Sequence, residues 1–191
     1  MRIIEPCCFN TQLTDTVNAM REGGQPFEVV MTNGDVPTVS LLNFLRGQLT
    51  TGSYRVVVAV PSLSLTIARA VKEILDAQIR DRMGDDAHFC TSSVTLLCGR
   101  GHSDDSPSVM EILSCLDMLS YGKRLRVALT ECRQTTALEI HKEGSTLLFG
   151  NTAETPSREQ NHTLLFLSTG PSLNARIEKS LLRIARGKYV N

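Results

Sequence analysis

Four side chains that can bind a metal ion occur within fifteen residues of one another. They are His88, Cys90, Cys98 and His102. The paired cysteines of structural zinc sites are separated by about two to four residues, and Cys90 and Cys98 do not have that spacing. The pattern around them predicts that both cysteines lie in one strand. We therefore expect no metal site and no cofactor.

A histidine and a lysine stand side by side at His141 and Lys142, next to a predicted hairpin turn. The histidine could act as a general base or nucleophile, and the lysine could bind a phosphate. Adjacent side chains on a strand point to opposite faces, so the two cannot easily meet at one substrate atom.

Gly99 and Gly101 form a Gly-x-Gly without the third glycine of a dinucleotide site, which favours a surface loop.

Composition limits the class of protein. The chain has 191 residues, of which 41% are hydrophobic and 21% are charged, so it can fill a core and is not expected to be disordered. Its 20 basic and 20 acidic residues cancel, which removes long-range steering toward nucleic acid or anionic lipid. The apolar run at residues 56–60 is too short to span a membrane. We expect a cytoplasmic protein whose cysteines are reduced and buried.

Helical and strand periods alternate through the first two thirds of the sequence. The expected strands are residues 27–31, 55–60, 89–98 and 125–129. Helices are expected before and between them, with Asp35, Ser64 and Ser106 as N-caps. This order is typical of parallel βα units.

The pattern then changes to three strands with no room for helices between them, at residues 137–141, 145–149 and 163–167. A last helix is expected to begin at a Ser172 cap. Parallel units followed by an antiparallel set predict an α/β fold, with a mixed β-sheet sandwiched between helices on both faces.

Residues 136–155, TALEIHKEGSTLLFGNTAET, carry a resemblance to a known family. The segment resembles the active-site hairpin of the phospholipase D superfamily, which has His-x-Lys on one strand, an aspartate near the turn and Gly-Ser-x-Asn after the second strand. Residues 157–162 occupy the place of the loop whose glutamate orients the histidine in that superfamily. With Gly150 as the anchor, the degenerate catalytic positions are Thr136 for the histidine, Leu138 for the lysine, Glu143 for the aspartate, Asn151 for the serine and Ala153 for the asparagine.

The resemblance implies a mechanism whose catalytic groups we expect this chain to lack. In the superfamily one histidine attacks phosphorus, a second protonates the leaving group, and lysines and asparagines neutralise the phosphate oxygens. Single-copy members dimerise, because each subunit supplies half of the site. We therefore expect a single phospholipase D-like domain over residues 1–191 that is a homodimer, is catalytically inactive, and serves as a binding or structural component.

The resemblance also implies a cleft for a phosphate-containing ligand or a nucleic acid. Its expected ligand-binding residues are Arg133, His141, Lys142, Asn151 and His162. One alternative is an active phosphodiesterase or nuclease that uses His141 or His162 in a variant site. Another is an unrelated doubly wound α/β domain with a small-molecule pocket at the carboxyl ends of its strands. In that second case the last three strands would not be antiparallel neighbours.

Overall fold

The computed structural model of the protein describes residues 2–49, 55–80, 93–99, 107–141, 144–152 and 162–190. The strands are β1 (Arg2–Ile4), β2 (Phe27–Thr32), β3 (Arg55–Val60), β4 (Ser93–Cys98), β5 (Leu125–Leu129), β6 (Thr135–His141), β7 (Gly144–Gly150) and β8 (Thr163–Ser168). The α-helices are α1 (Phe9–Glu22), α2 (Thr38–Gln48), α3 (Leu65–Arg80), α4 (Val109–Cys115) and α5 (Pro171–Ala185). Two short 3₁₀ helices are Pro6–Cys8 and Met118–Arg124.

The described strands form one sheet in the order β1-β2-β8-β7-β6-β3-β4-β5. β1 is parallel to β2, and β3, β4 and β5 are parallel to one another. The centre is antiparallel: β6 pairs with β7, with Ala137 opposite Leu148, and β7 pairs with β8, with Leu148 opposite Leu167. The expected mixed sheet is confirmed. Because the last three strands are antiparallel neighbours, the unrelated doubly wound fold is excluded.

Side chains alternate between the two faces of the sheet. On β3, Val56, Val58 and Val60 join the larger core cluster, which includes residues of α1, α2, α3 and α4. Val57 and Ala59 point the other way and join a smaller cluster with α5. Burial on both faces explains why β3 reads as a continuous apolar run. Helices therefore cover both faces of the sheet, as expected. Helices α1 to α4 pack on one face, and α5 packs on the other. We call the second face the α5 face.

Polar contacts fix α5 on the sheet. Asn174 is fully buried, and its Nδ2 donates to Ser145 Oγ at 2.8 Å and to the carbonyl of Ser168 at 3.1 Å. One turn later, Glu178 forms an ion pair with Arg55 of β3, with 2.8 Å between Arg55 Nε and Glu178 Oε1. These contacts hold α5 over β7 and β3, where it forms one wall of the cleft described below.

The helix starts were only partly predicted. Ser64 Oγ accepts a hydrogen bond from the Ile67 amide at 3.3 Å, which confirms the expected cap of α3. The cap of α4 is Ser108 and not Ser106, which lies outside the described residues. Ser108 and Glu111 form a reciprocal capping box, with each side chain bonded to the other residue's amide.

Two other expected caps are wrong. α2 begins at Thr38, and the residue before it, Pro37, takes the cap position with an extended backbone. Asp35 therefore stands outside the helix. α5 begins at Pro171, so Ser172 lies inside its first turn. Proline suits the first helical position, because its missing amide hydrogen would have no partner there.

Other differences concern the strands. β1 was not expected, because three residues are too few to display an alternation. The strand expected at residues 89–98 is described only from Ser93 onward, and residues 89–92 lie outside the described part.

Within the described residues, no helix has both the length and the apolar character needed to cross a membrane.

Candidate ligand cleft

The cleft is built around Gly150, the last residue of β7. Gly150 lies opposite Leu165 on β8 and Thr135 on β6. A Cβ atom added to it would lie 2.5 Å from the carbonyl oxygen of Leu164 and 2.6 Å from a methyl carbon of Leu165. The glycine is thus needed for the close approach of β7 to β8. This packing role explains its presence without any reference to catalysis.

A chain of threonine hydroxyls fixes the backbone just beyond Gly150. Thr152 Oγ1 lies 2.6 Å from Thr135 Oγ1 and 2.7 Å from Thr38 Oγ1. Thr135 and Thr38 are buried, so both bonds form away from solvent. They tie α2 and β6 to the segment after β7 and thereby hold Asn151 at the rim of the sheet.

His162 is exposed and stands directly before β8. Its Nδ1 lies 3.1 Å from the carbonyl oxygen of Thr32. A carbonyl oxygen can only accept, so Nδ1 carries the hydrogen, and a neutral ring then presents an acceptor lone pair at Nε2. Thr32 is itself held by Thr163, whose amide donates to Thr32 Oγ1 at 3.3 Å. The imidazole is therefore oriented by the β2–β8 pair.

Two adjoining cavities lie on the α5 face, and they share Phe149 and Phe166. We call them together the cleft. The apolar lobe, about 520 Å³, lies between α5 and the sheet and is lined by Thr136, Leu147, Phe149, Phe166, Leu173, Ile177 and Leu181. The polar lobe, about 320 Å³, is lined by Val29, Gln134, Phe149, Gly150, Asn151, His162, Leu164, Leu165 and Phe166. Both volumes fall in or near the range of small-molecule sites.

No protein-family model and no curated protein sequence matches this chain. Solved structures do match. NucT from Helicobacter pylori, a phospholipase D family member, has a TM-score of 0.50 and 15% identity, covering 85% of this chain and 98% of NucT. TrmBL2, an archaeal chromatin protein whose structure shows a novel mode of DNA binding, has a TM-score of 0.52 and 11% identity. That match covers 95% of this chain and 61% of TrmBL2, so the chain spans about three fifths of TrmBL2.

Nuc from Salmonella typhimurium, described as a phospholipase D family member, is also similar, with a TM-score of 0.47 and 10% identity over 83% of this chain and 93% of Nuc. The match to NucT shows that the chain has a phospholipase D-like mixed α/β fold. At these identities the likeness concerns the fold, and the chemistry of the cleft must be judged from this chain's own residues.

The positions that the sequence resemblance matches to the catalytic histidine and lysine lie on β6 and point to the α5 face. Thr136 lines the apolar lobe and is only 4% exposed. Leu138 is fully buried between Val57 on β3 and Leu147 on β7. The cleft therefore has a weakly nucleophilic hydroxyl and a hydrocarbon where the motif would place an imidazole and an ammonium group.

Asn151 is exposed and lines the polar lobe together with His162. These two expected ligand-binding residues are brought together. Arg133 is exposed and lines neither lobe. Glu143, Lys142 and Ala153 lie outside the described residues.

The two candidate histidines belong to opposite ends of the central strands. His141 is the last residue of β6 and pairs with Gly144. It is five residues from Thr136, or about 17 Å along a strand. His162 instead lies near the Gly150 end, beside the start of β8. The described backbone therefore does not bring the two histidine positions together.

Several cleft residues have no signal in the sequence. Gln134 precedes β6 in an irregular segment, and Val29 enters the polar lobe only because β2 pairs with β8. Phe149 could have been found, since it lies opposite Thr136 in the hairpin that the resemblance identifies. The pairing of β2 with β8 joins segments more than 100 residues apart, which a local pattern cannot reveal.

The thiols differ in environment. Cys98 is buried, and this burial raises the pKa of its thiol to about 12. Burial also raises the pKa of the half-buried Cys132. Cys7, Cys8 and Cys115 are exposed, so the expectation that the cysteines are buried is wrong for these three.

Among the described residues no three His, Cys, Asp or Glu side chains come together as a metal site, and His88, Cys90 and His102 lie outside them.

Proposed function

We propose that this protein is a catalytically inactive relative of the phospholipase D phosphodiesterases, and that it works as a homodimeric binding or structural component. The observation that carries the proposal is the burial of Thr136 and Leu138 within an apolar surface. A nucleophilic hydroxyl needs a neighbouring base to take its proton. The other residues lining the apolar lobe, Leu147, Phe149 and Leu173 among them, are hydrocarbon side chains and cannot do so.

Charge stabilisation is missing by the same argument. Phosphoryl transfer depends on cations and hydrogen-bond donors aimed at the phosphate oxygens. Leu138 offers neither. Among the described residues, the polar side chains that line the cleft are the Thr136 hydroxyl, the amides of Gln134 and Asn151 and the imidazole of His162. These groups can hydrogen-bond a phosphate-containing ligand or a nucleic acid at the rim. We propose ligand binding without turnover.

We expect the purified protein to show no hydrolysis of bis(p-nitrophenyl) phosphate above the buffer rate. Loss of a catalytic nucleophile costs roughly 10⁴–10⁶-fold in rate, which removes the activity from a standard assay. Release of p-nitrophenol, followed by absorbance, measures it, with an active enzyme of the same fold as the positive control.

The oriented imidazole of His162 favours one second candidate, an active phosphodiesterase or nuclease with a variant site. Two variants decide between them. If the wild type hydrolyses the substrate and His162→Ala or His141→Ala abolishes this hydrolysis, the protein is an active enzyme with a variant site, and the proposal of an inactive protein is overturned. A trace activity that both variants retain comes from a contaminant and leaves the protein inactive.

The proposed dimer follows from the part of the α5 face that α5 does not cover. Eight strands spaced by about 4.8 Å make a sheet roughly 35–40 Å wide, whereas one helix is about 10–12 Å across. Phe27, Val29 and Leu164 lie on the uncovered part and are 57%, 39% and 55% exposed. Phe166 stacks on Phe27 with 5.9 Å between ring centroids. We call these four side chains the sheet patch.

A second copy of the chain suits the sheet patch. An isologous dimer needs a surface that is complementary to itself, and an uncharged apolar patch meets that condition. Val29, Leu164 and Phe166 also line the polar lobe, so the partner would lie beside the cleft. This agrees with the dimer that the superfamily resemblance implies for a single-copy chain.

We expect the double variant Phe27→Asp, Leu164→Asp to be a monomer at concentrations where the wild type is a dimer, because dimerisation would bury two unpaired carboxylates per subunit. Light scattering coupled to size exclusion measures the mass. Met110→Asp is the control, since Met110 is 39% exposed on α4, away from the α5 face. A monomeric wild type, or a double variant that remains dimeric, would refute the proposed dimer.

A further inference from the structure

Two adjacent cysteines lie on the surface between β1 and α1. Cys7 and Cys8 are the last residues of the first 3₁₀ helix, both are exposed, and both are free thiols. Their Sγ atoms are 3.7 Å apart. Neither lines the cleft, so the proposed function makes no use of them.

The backbone holds this pair in place. The Cys8 amide donates to the carbonyl of Glu5 at 3.0 Å, which closes the turn. Ile4 before the turn and Phe9 after it are both in the core, at 0% and 4% exposure. Because the turn is anchored on both sides, the two thiols share one side of it before any ligand arrives. Cys8 is also the N-cap of α1 and makes no side-chain capping bond.

The separation of the sulfur atoms fits a single shared ion. Two thiolates bound at about 2.3 Å to one ion, with a tetrahedral angle between the bonds, have sulfurs about 3.8 Å apart. Thiolates select soft ions. A structural zinc ion needs four ligands, and the described residues around this pair supply no third His, Cys, Asp or Glu. A ligand of this pair must therefore be one that needs only two sulfur ligands from this chain.

We propose that Cys7 and Cys8 form a dithiol site for thiophilic trivalent arsenicals that carry one organic group. For phenylarsine oxide the step is C₆H₅As=O + 2 RSH → C₆H₅As(SR)₂ + H₂O. Two S–As bonds form, both thiol protons leave with the oxide oxygen as water, and arsenic stays trivalent. The hydrogen bond with Cys7 raises the pKa of the Cys8 thiol, so Cys8 enters the reaction protonated at neutral pH.

The test is titration of the reduced full-length protein with phenylarsine oxide. We expect one equivalent to block two thiols, as counted with Ellman's reagent, and to add the mass of one phenylarsine bridge. Because the second bond is intramolecular, Cys7→Ser and Cys8→Ser should each weaken binding roughly 100-fold or more. Cys115→Ser, which removes a lone exposed thiol, should bind like the wild type. 2,3-Dimercaptopropanol should release the adduct, whereas glutathione should not.

Peptide mapping of the wild type keeps the test independent of variant folding. Trypsin releases residues 3–21, which contain Cys7 and Cys8 and no other cysteine. The phenylarsine bridge should be found on this peptide. Recovery of the bridge on other peptides, equal binding by Cys7→Ser, or loss of binding in Cys115→Ser would overturn the proposal.

Discussion

Leu138→Lys is expected to lower the free energy of unfolding by about 3–5 kcal/mol, because it places an unpaired ammonium group in a fully buried position. The neighbours across the sheet are Val57 and Leu147, which belong to the same apolar cluster and offer no counter-charge. The introduced lysine can become neutral by releasing its proton, but lowering the pKa of the lysine in the folded state also lowers the free energy of unfolding. Urea denaturation followed by circular dichroism measures the change.

Leu138→Met is the matched control, since it keeps the volume and stays apolar, and it should cost less than about 1.5 kcal/mol. If Leu138→Lys were as stable as the wild type, the position would be open to solvent. The central support for catalytic inactivity would then be lost. If the expected loss is found, the lysine of the superfamily motif cannot be restored here without rebuilding the cluster around it.

The second large effect is expected at Gly150. Gly150→Ala should destabilise the protein by about 2–3 kcal/mol, because the new methyl group would press against the Leu164 carbonyl at 2.5 Å and the Leu165 side chain at 2.6 Å. β7 and β8 must separate to relieve the overlap, which weakens the pairing that forms the floor of the polar lobe. Thermal and urea unfolding both report the loss.

Gly47→Ala provides a control of the opposite sign. Gly47 is exposed within α2, and an added Cβ meets nothing within 4 Å. Alanine should therefore stabilise the protein by about 0.5–1 kcal/mol through its higher helix propensity. A Gly150→Ala variant that is as stable as Gly47→Ala would show that β7 and β8 can separate without cost.

The sequence was most informative about the bounds of the strands. The continuous apolar run of β3 and the short alternating strands β6, β7 and β8 were predicted with nearly their observed bounds. The helix starts failed where a proline outcompeted a nearby capping side chain, at Pro37 and Pro171. Local propensity cannot rank two plausible start signals that lie within a few residues.

The cleft was less predictable than the fold. Asn151 and His162 were reached through the resemblance, and they do line one lobe. The apolar lobe was not foreseen, because three of its seven lining residues come from α5, whose place over the sheet depends on contacts such as Asn174 with Ser145. Such contacts join segments that are distant in sequence, and their partners are known only once the strand order is known.

The strand order has a consequence for synthesis on the ribosome. β2 and β3 are consecutive along the chain, but β8, β7 and β6 lie between them in the sheet. A nascent chain that has not yet reached β6 therefore has a gap at the middle of its sheet, and the inner edges of β2 and β3 are left without their partners. Unpaired edges of this kind attract other strands. The protein thus depends on β6, β7 and β8 to cover the edges of strands that are made before them.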